Sequence, residues 1–218
     1  MSGKGIAVKK QVKREEIIHA AKKLIIEKGY RKTSVQDITD EAGIAKGSFY
    51  TYFKSKDYLM ETLLIEKLEN RSGSVKEIIA SEGSLEDIIR EYVKYYLTVT
   101  VDDAEFILVM TTMMRSVDSV GEVVIERLEK DKARRKQEFI NILKKFKDEV
   151  DIKEERDYER YGLLVFGMIN TFYINNLFPC ENRFVETSLI EVKNKISSID
   201  FDYEAKFMTN ILVKLVRK

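Results

Sequence analysis

Cysteine, proline and histidine are almost absent from this chain of 218 residues, and two of these scarcities exclude classes of protein. The single cysteine, Cys180, rules out an intramolecular disulfide and a cysteine-rich zinc site. The single histidine, His19, is predicted to lie on the surface of the first helix, with no serine, cysteine or metal-ligand set at helical spacing around it. We therefore expect a protein that is not an enzyme and that holds no metal or cofactor.

Long apolar runs are also missing, apart from residues 161–178. That stretch contains Asn170, Asn175 and Asn176, so a buried helix explains it better than a membrane span. The first residues lack the apolar run of a signal peptide. We therefore expect a cytoplasmic protein with no membrane association.

The residues that are present favour an all-α fold with one basic end. Hydrophobic residues make up 44% of the chain and recur mostly three and four positions apart, and there is one proline. Residues 1–58 hold 13 Lys/Arg and 7 Asp/Glu, a net charge of +6, whereas the remainder has a net charge of −5. A basic module joined to a mildly acidic body is typical of a protein that binds nucleic acid at one end.

Residues 33–59 predict a helix-turn-helix. Either Thr33 or Ser34 would cap the first helix. Gly43 suits the left-handed conformation in which helices end, and Ile44 would fill the gap between the two helices. The apolar stripe of the first helix consists of Val35, Ile38 and Ala42.

The second helix of this unit is predicted over residues 45–53. Phe49 and Phe53 would define its buried side, with Gly47 and Thr51 pointing directly away from them. Gly47 costs about 1 kcal/mol of helix propensity relative to alanine, so the presence of glycine in the middle of this helix requires an explanation. Either a base edge or phosphate approaches the backbone there, or the glycine relieves crowding within a structural helix pair.

Together with a first helix over residues 14–30, this segment resembles the DNA-binding domain of the TetR family of bacterial repressors, over about residues 11–60. One departure is Ala45, which stands where the family usually has a capping residue. The resemblance implies that Tyr52 and Lys56 hold phosphates. The predicted DNA-binding residues are Thr33, Gln36, Lys46, Gly47, Ser48, Tyr50, Thr51, Tyr52 and Lys56.

We divide the chain into a flexible basic arm over residues 1–10, a helix-turn-helix domain over residues 11–58, and a helical effector-binding and dimerisation domain over residues 59–218. The arm is either a solvated tail or an additional contact to phosphates and the minor groove. A fourth helix is predicted from Lys56 to as far as Ile79, and residues 179–202 receive no firm assignment.

Two strongly apolar helices, over residues 154–178 and 203–217, require a covering surface. The resemblance implies that they form a four-helix bundle with the same pair from a second subunit. The alternative is that they pack within one chain. The predicted dimer interface comprises Gly162, Phe166, Tyr173, Phe207, Ile211 and Leu215.

Methionine and aromatic side chains cluster in the body, and such side chains line adaptable lipophilic cavities. The resemblance implies a pocket for a small lipophilic or aromatic effector there, whereas an ordinary helical core is the competing interpretation. The predicted ligand-binding residues are Tyr95, Phe106, Met110, Met113, Met114, Phe166, Asn170 and Tyr173.

The residues predict a homodimeric DNA-binding regulator, and the resemblance implies a repressor that is released from a palindromic operator when ligand binds. The main alternative is a regulator of the same fold that has no small-molecule effector and is controlled by a protein partner or by its own abundance. A helical lipid-binding or enzymatic protein is the rival from a different class, and it predicts no sequence-specific affinity for DNA.

Overall fold

The structure, a computed structural model, describes residues 3–69, 72–114, 122–177 and 188–218. Within these residues it contains helices and no strand, which confirms the all-α prediction; an isolated antiparallel bridge pairs Val150 with Arg217. A 3-10 turn, Val101–Asp103, precedes α7. The helices are α1 Gly3–Lys28, α2 Val35–Glu41, α3 Lys46–Phe49, α4 Lys56–Glu69, α5 Ser72–Ala80, α6 Leu85–Leu97, α7 Ala104–Met114, α8 Glu122–Lys145, α9 Glu155–Asn176, α10 Leu189–Ser198 and α11 Phe201–Val216.

The caps of α2 and α3 follow from their sequences. Ser34, and not Thr33, is the N-cap of α2: its hydroxyl accepts a hydrogen bond from the backbone N–H of Asp37, whose carboxylate accepts one from the backbone N–H of Ser34. After α2 the chain turns at Gly43, which has a φ of +62° that L side chains rarely adopt. Ala45 supplies no side-chain hydrogen bond to the start of α3, as its sequence implies.

Three element boundaries differ from the sequence-based predictions. Helix α1 begins at Gly3, so residues 3–10 continue a helix instead of forming a separate arm. Helix α3 ends at Phe49, because the following turn closes with tighter bonds such as Tyr52 N–H to the Phe49 carbonyl, at 2.9 Å. The fourth helix does not continue to residue 79, because α4 ends at Glu69 and α5 starts at Ser72.

The N-terminal core joins α1, α2, α3 and α4 to part of α7. The predicted boundary between residues 58 and 59 is therefore not a packing boundary, since α4 and α7 both contribute side chains to this core. Its buried members are Ile17, Ala20, Ala21, Leu24, Ile25, Tyr30, Ile38, Phe49, Phe53, Leu59, Met60, Leu63, Leu64, Val109 and Met110.

Two further cores lie in the body. The bridging core packs the other side of α7 against α10, and consists of Val99, Ala104, Ile107, Leu108, Leu177, Val192 and Ile196. The body core is larger and is built from α5, α6, α8, α9 and α11. Its largest fully buried side chains are Tyr92, Tyr96 and Phe139. In the described part of the chain, no helix has the length and hydropathy needed to cross a membrane.

Helices α8 and α9 approach closely at Gly162, which is buried between them. A Cβ at this position would lie 2.6 Å from Cγ of Lys136 and 3.0 Å from its carbonyl oxygen. Backbone therefore packs against α8 here, and no larger residue fits without displacement.

Replacing Gly162 with alanine is expected to lower the free energy of unfolding by about 1–3 kcal/mol, because the methyl group overpacks the contact between α8 and α9. Urea denaturation measures the change. Gly47→Ala is the matched control, since a Cβ at Gly47 would meet nothing within 4 Å. Equal stability losses in the two variants would contradict this account of Gly162.

Candidate nucleic-acid interface

Helix α3 and the turn that follows it, residues 46–53, are buried on one side and exposed on the other. Phe49 and Phe53 are 0% and 1% exposed and pack into the N-terminal core, as the sequence pattern predicts. On the opposite side, the ring of Tyr50 is 52% exposed and meets Phe49 edge-on with ring centroids 5.5 Å apart. The exposed residues of this face are Lys46, Gly47, Ser48, Tyr50 and Thr51.

Gly47 lies in open space at the centre of this face. A Cβ there would meet no atom within 4 Å, and its φ is not in the left-handed region. Neither crowding nor backbone conformation therefore requires glycine at this position, which argues against the structural interpretation of Gly47. Backbone atoms of α3 are accessible there to a group from outside the chain.

Helix α2 supports the face from behind and contributes Gln36. The exposed Gln36 amide donates a hydrogen bond to Asp40 Oδ1 at 2.7 Å, one turn along α2. Lys28 holds α1 against α2 through an ion pair with Asp37 at 2.9 Å. Hydrogen bonding from the Ser34 hydroxyl, followed by the bond from Lys28, holds the pKa of Asp37 well below its usual range.

The side chain of Thr33 does not belong to the exposed face, contrary to the sequence-based prediction. It is 1% exposed, and its hydroxyl donates to the Gly29 carbonyl at 2.9 Å. The resemblance to the family does not show that Thr33 is buried and that Ser34, next to it, is the N-cap of α2. The Thr33 hydroxyl therefore closes the turn after α1.

Lys56 is predicted to bind phosphate, but its ammonium is largely engaged inside the chain. It donates to the carbonyl oxygens of Tyr30 and Thr33 at 2.7 and 2.8 Å, and lies 4.0 Å from the centroid of the Tyr30 ring. Burial lowers the pKa of Lys56. Two of its three N–H donors thus fasten the turn after α1 to the start of α4. Tyr52 is half-buried against the N-terminal core.

Arg14 helps to position this site, although the sequence pattern does not predict such a role. Its guanidinium pairs with Glu66 of α4 and lies 5.5 Å from the centroid of the Phe53 ring. It therefore links α1, α4 and the chain that follows α3. No local pattern marks this contact, because it joins positions 52 residues apart.

The predicted ligand-binding residues do not form one group. Phe106 and Met110 pack in the N-terminal core, and the Tyr173 hydroxyl donates to the Tyr96 carbonyl, which fastens α9 to the end of α6. Phe106 and Met110 thus pack in a different core from Tyr173, and the ligand-binding role of the eight residues stays a prediction. Tyr95, Phe166 and Asn170 are partly buried. The side chains of Met113 and Met114 lie outside the described residues.

The predicted dimer interface is also divided. Gly162 is buried against α8, and Tyr173 is committed to α6, so both act within one chain. Phe166 is partly buried, with its ring centroid 6.0 Å from the Arg135 guanidinium. On α11, Phe207, Ile211 and Leu215 are 54%, 36% and 50% exposed. Phe207 lines a groove between α9 and α11, and Ile211 and Leu215 lie one and two turns further along α11. The lining of the groove also includes Leu163, Leu164, Gly167, Thr171 and Asn175.

Within the described residues, no group of three or more His, Cys, Asp or Glu side chains is arranged to hold a metal ion. The exposed side of α3 and the apolar groove between α9 and α11 are surface features of the kind that contact a partner.

Comparison with known proteins agrees with the helix-turn-helix. Residues 17–63 match the family model described as bacterial regulatory proteins of the tetR family. The repressor KstR2 of Rhodococcus jostii is 40% identical over 72 residues, which cover 33% of this chain and 35% of the relative. The chain thus spans about a third of that relative's length.

A second relative matches nearly end to end. The fatty acid metabolism regulator protein of Bacillus subtilis is 25% identical over 198 residues, covering 85% of this chain and 98% of the relative. The solved structure of Bacillus subtilis FadR in complex with stearoyl-CoA has a TM-score of 0.64 and 20% identity, over 93% of this chain and 99% of that one. FadR of Bacillus halodurans has a TM-score of 0.65, also at 20% identity, over 92% and 94%. These two structures show that the chain shares their fold, and its residues 17–63 match the helix-turn-helix model of the tetR family of bacterial regulatory proteins.

Proposed function

We propose that the chain is a repressor that binds a palindromic operator as a homodimer and leaves it when a small lipophilic or aromatic ligand binds the body. The observation that carries this proposal is the exposed face of α3 around Gly47. Neither a close contact nor the backbone conformation in the described chain requires glycine at position 47. A DNA major groove, by contrast, presents base edges and phosphates that approach a helix closely.

The charges on the N-terminal part support the same role. Lys46 opens α3 and is exposed, so its ammonium is available to phosphate beside the first amides of the helix. Lys54 lies beyond α3, is also exposed and stands 5.6 Å from the centroid of the Tyr58 ring. The exposed lysines at positions 9 and 10 extend this supply of positive charge along α1. Contacts from residues 3–10 to DNA form part of the proposal.

The exposed apolar side chains of α9 and α11 support a homodimer. Five of them, at positions 163, 164, 207, 211 and 215, are between 36% and 54% exposed. The first three line one groove, and the last two follow Phe207 along α11 at intervals of one turn. An apolar patch of this kind is costly in water and marks an interface. Two-fold pairing would also give two copies of α3, which a palindromic operator requires.

The ligand part of the proposal rests on relatives and on packing. The solved structure of Bacillus subtilis FadR contains stearoyl-CoA, and the fatty acid regulator of the same organism matches this chain along most of its length. We therefore propose a fatty acyl compound as the first candidate effector. Helix α7 supplies a mechanical route, because it packs in both the N-terminal core and the bridging core.

Operator binding is tested first. DNA selected from a random pool is expected to yield a palindromic site, and Gly47→Ala is expected to bind that site about tenfold or more weakly, since its methyl group occupies the space of a base edge or phosphate. Mobility shift or anisotropy titration measures the affinity. Lys46→Ala should also weaken binding and reduce the slope against log salt by about 1, whereas Lys153→Ala, a distant exposed lysine, should not. Unchanged affinity in Gly47→Ala would overturn the assignment of this face.

Dimerisation is tested on α11. Ile211→Asp is expected to convert the protein to monomers at micromolar concentration and to weaken operator binding, because a buried carboxylate in an apolar interface is not compensated. Ile190→Asp is the matched control on α10, where the isoleucine is 70% exposed outside the groove. Sedimentation or light scattering measures the mass. A monomeric wild-type protein would exclude the dimer.

The effector is tested on the operator complex. Palmitoyl-CoA is expected to lower operator affinity, and operator DNA is expected to lower palmitoyl-CoA affinity by the same factor, because coupling between two sites is reciprocal. Titration of both ligands in both orders measures the two factors. A ligand that binds without changing operator affinity would contradict the coupling. If acyl compounds and other lipophilic or aromatic ligands all leave the melting temperature unchanged, the effector-free alternative replaces this part of the proposal.

A further inference from the structure

A charged cluster lies inside the body, where α8 faces α6 and α9. Asp131, Arg134, Arg135 and Glu138 follow one another at helical spacing, so they share one side of α8. Asp131 and Arg135 are only 8% and 9% exposed. Charges at this depth are expensive unless each has a partner, so the hydrogen bonds of each member decide what the cluster does.

Both terminal nitrogens of Arg134 have partners. Its guanidinium pairs with Asp131, donates to Glu138 at 2.7 Å and donates to the Tyr96 hydroxyl at 2.9 Å. The Tyr96 hydroxyl in turn donates to Glu138 at 2.6 Å. Burial and the neighbouring Glu138 raise the pKa of Tyr96, so the phenol stays protonated. This half of the cluster is balanced without any outside group.

Arg135 is different, because its guanidinium donates no hydrogen bond to any described residue. Its Nε lies 2.7 Å from Asp131 Oδ2, but the N–H is not aligned for a hydrogen bond. Asp131 is also shared with Arg134. A guanidinium carries five N–H donors, and buried donors of native proteins are almost always satisfied. The buried Nε of Arg135 therefore has an ion-pair partner but no hydrogen-bond acceptor in the described chain.

The position of the Arg135 guanidinium is fixed by its surroundings. It lies 4.5 Å from the centroid of the Tyr96 ring and 6.0 Å from that of Phe166. Its backbone carbonyl accepts a hydrogen bond from the buried Tyr92 hydroxyl at 2.8 Å. The close approach of α8 and α9 at Gly162 brings Phe166, one turn further along α9, towards Arg135. A guanidinium that lies near two aromatic rings and donates no hydrogen bond to the described chain is suited to a planar or tetrahedral oxyanion.

We propose that Arg135 binds the anionic group, carboxylate or phosphate, of an amphipathic ligand whose apolar part lies along Phe166. This inference rests on the proposed function, since it describes how the body recognises its effector. The role of Arg135 requires that the effector carry a negative charge in addition to being lipophilic. Ordered water on the N–H donors is the competing occupant, and it predicts no preference for anions.

The test compares three probes of one chain length by calorimetric titration of the full chain. Palmitate carries a carboxylate, palmitoyl-CoA carries phosphates, and 1-hexadecanol is neutral. Wild-type protein is expected to bind at least one anionic probe about tenfold or more tightly than hexadecanol. Arg135→Met is expected to remove that preference while leaving hexadecanol affinity unchanged. Lys130→Met is the matched control, because this lysine lies on the same helix but is exposed and paired with Glu126.

A second variant guards against misfolding. If Arg135→Met does not fold because Asp131 loses a partner, the double variant Asp131→Asn with Arg135→Met removes both charges of the pair and serves in its place. Loss of palmitate binding alone would assign the carboxylate, and loss of palmitoyl-CoA binding alone would assign the phosphate. Retention of the anion preference in these variants would overturn the inference, as would equal binding of all three probes to the wild type.

The outcomes also separate this inference from the proposed function. If hexadecanol binds as tightly as the anions and weakens operator binding, the lipophilic effector stands and the role of Arg135 is overturned. If none of the three probes binds, the fatty acyl effector and the role of Arg135 both fail. Operator binding by the face around Gly47 is tested separately and is affected by neither result.

Discussion

The packing of α7 on two sides is the constraint on which the arrangement of this protein depends. Val109 and Met110 of this helix are buried in the N-terminal core, and Ile107 and Leu108 are buried in the bridging core. A helix with apolar side chains all round is stable only when it is enclosed. Because interiors are close-packed, a displacement of α7 changes both cores together. The part that carries α3 and the body that would hold a ligand are therefore mechanically joined.

Helix α4 completes this connection, since a lysine fastens each of its ends. Near its start, Lys56 donates to the turn after α1. Near its end, Lys67 pairs with Asp103, which also accepts from the backbone N–H of Thr100 at 2.8 Å and so caps the turn before α7. A shift of that turn would change the geometry of the Lys67 contact and the direction of α4. Since half-sites on DNA have a fixed spacing, a small change in the direction of α4 would alter the fit of two copies of α3 in the proposed dimer.

Sequence reasoning succeeded where local chemistry decides the structure. The φ of Gly43, the missing cap at Ala45 and the burial of Phe49 follow from short-range rules. It failed where a residue's neighbour is distant in sequence. Periodicity indicates that Met110 is buried, but not that α1 and α4 bury it instead of a ligand pocket. In the same way, a glycine such as Gly162 signals close approach without saying which helix approaches.

Three features of the structure are energetically unfavourable for the isolated chain, and a different binding partner would relieve each of them. Gly47 weakens α3 although nothing in the described chain occupies the space beside it. Ile211 and its apolar neighbours on α11 face solvent. Arg135 buries its Nε beside Asp131 without a hydrogen-bond acceptor. DNA, a second copy of the chain and an anion would each remove one of these costs and none of the others. The binding partners of a regulator can therefore be inferred from the local rules that its own fold leaves unsatisfied.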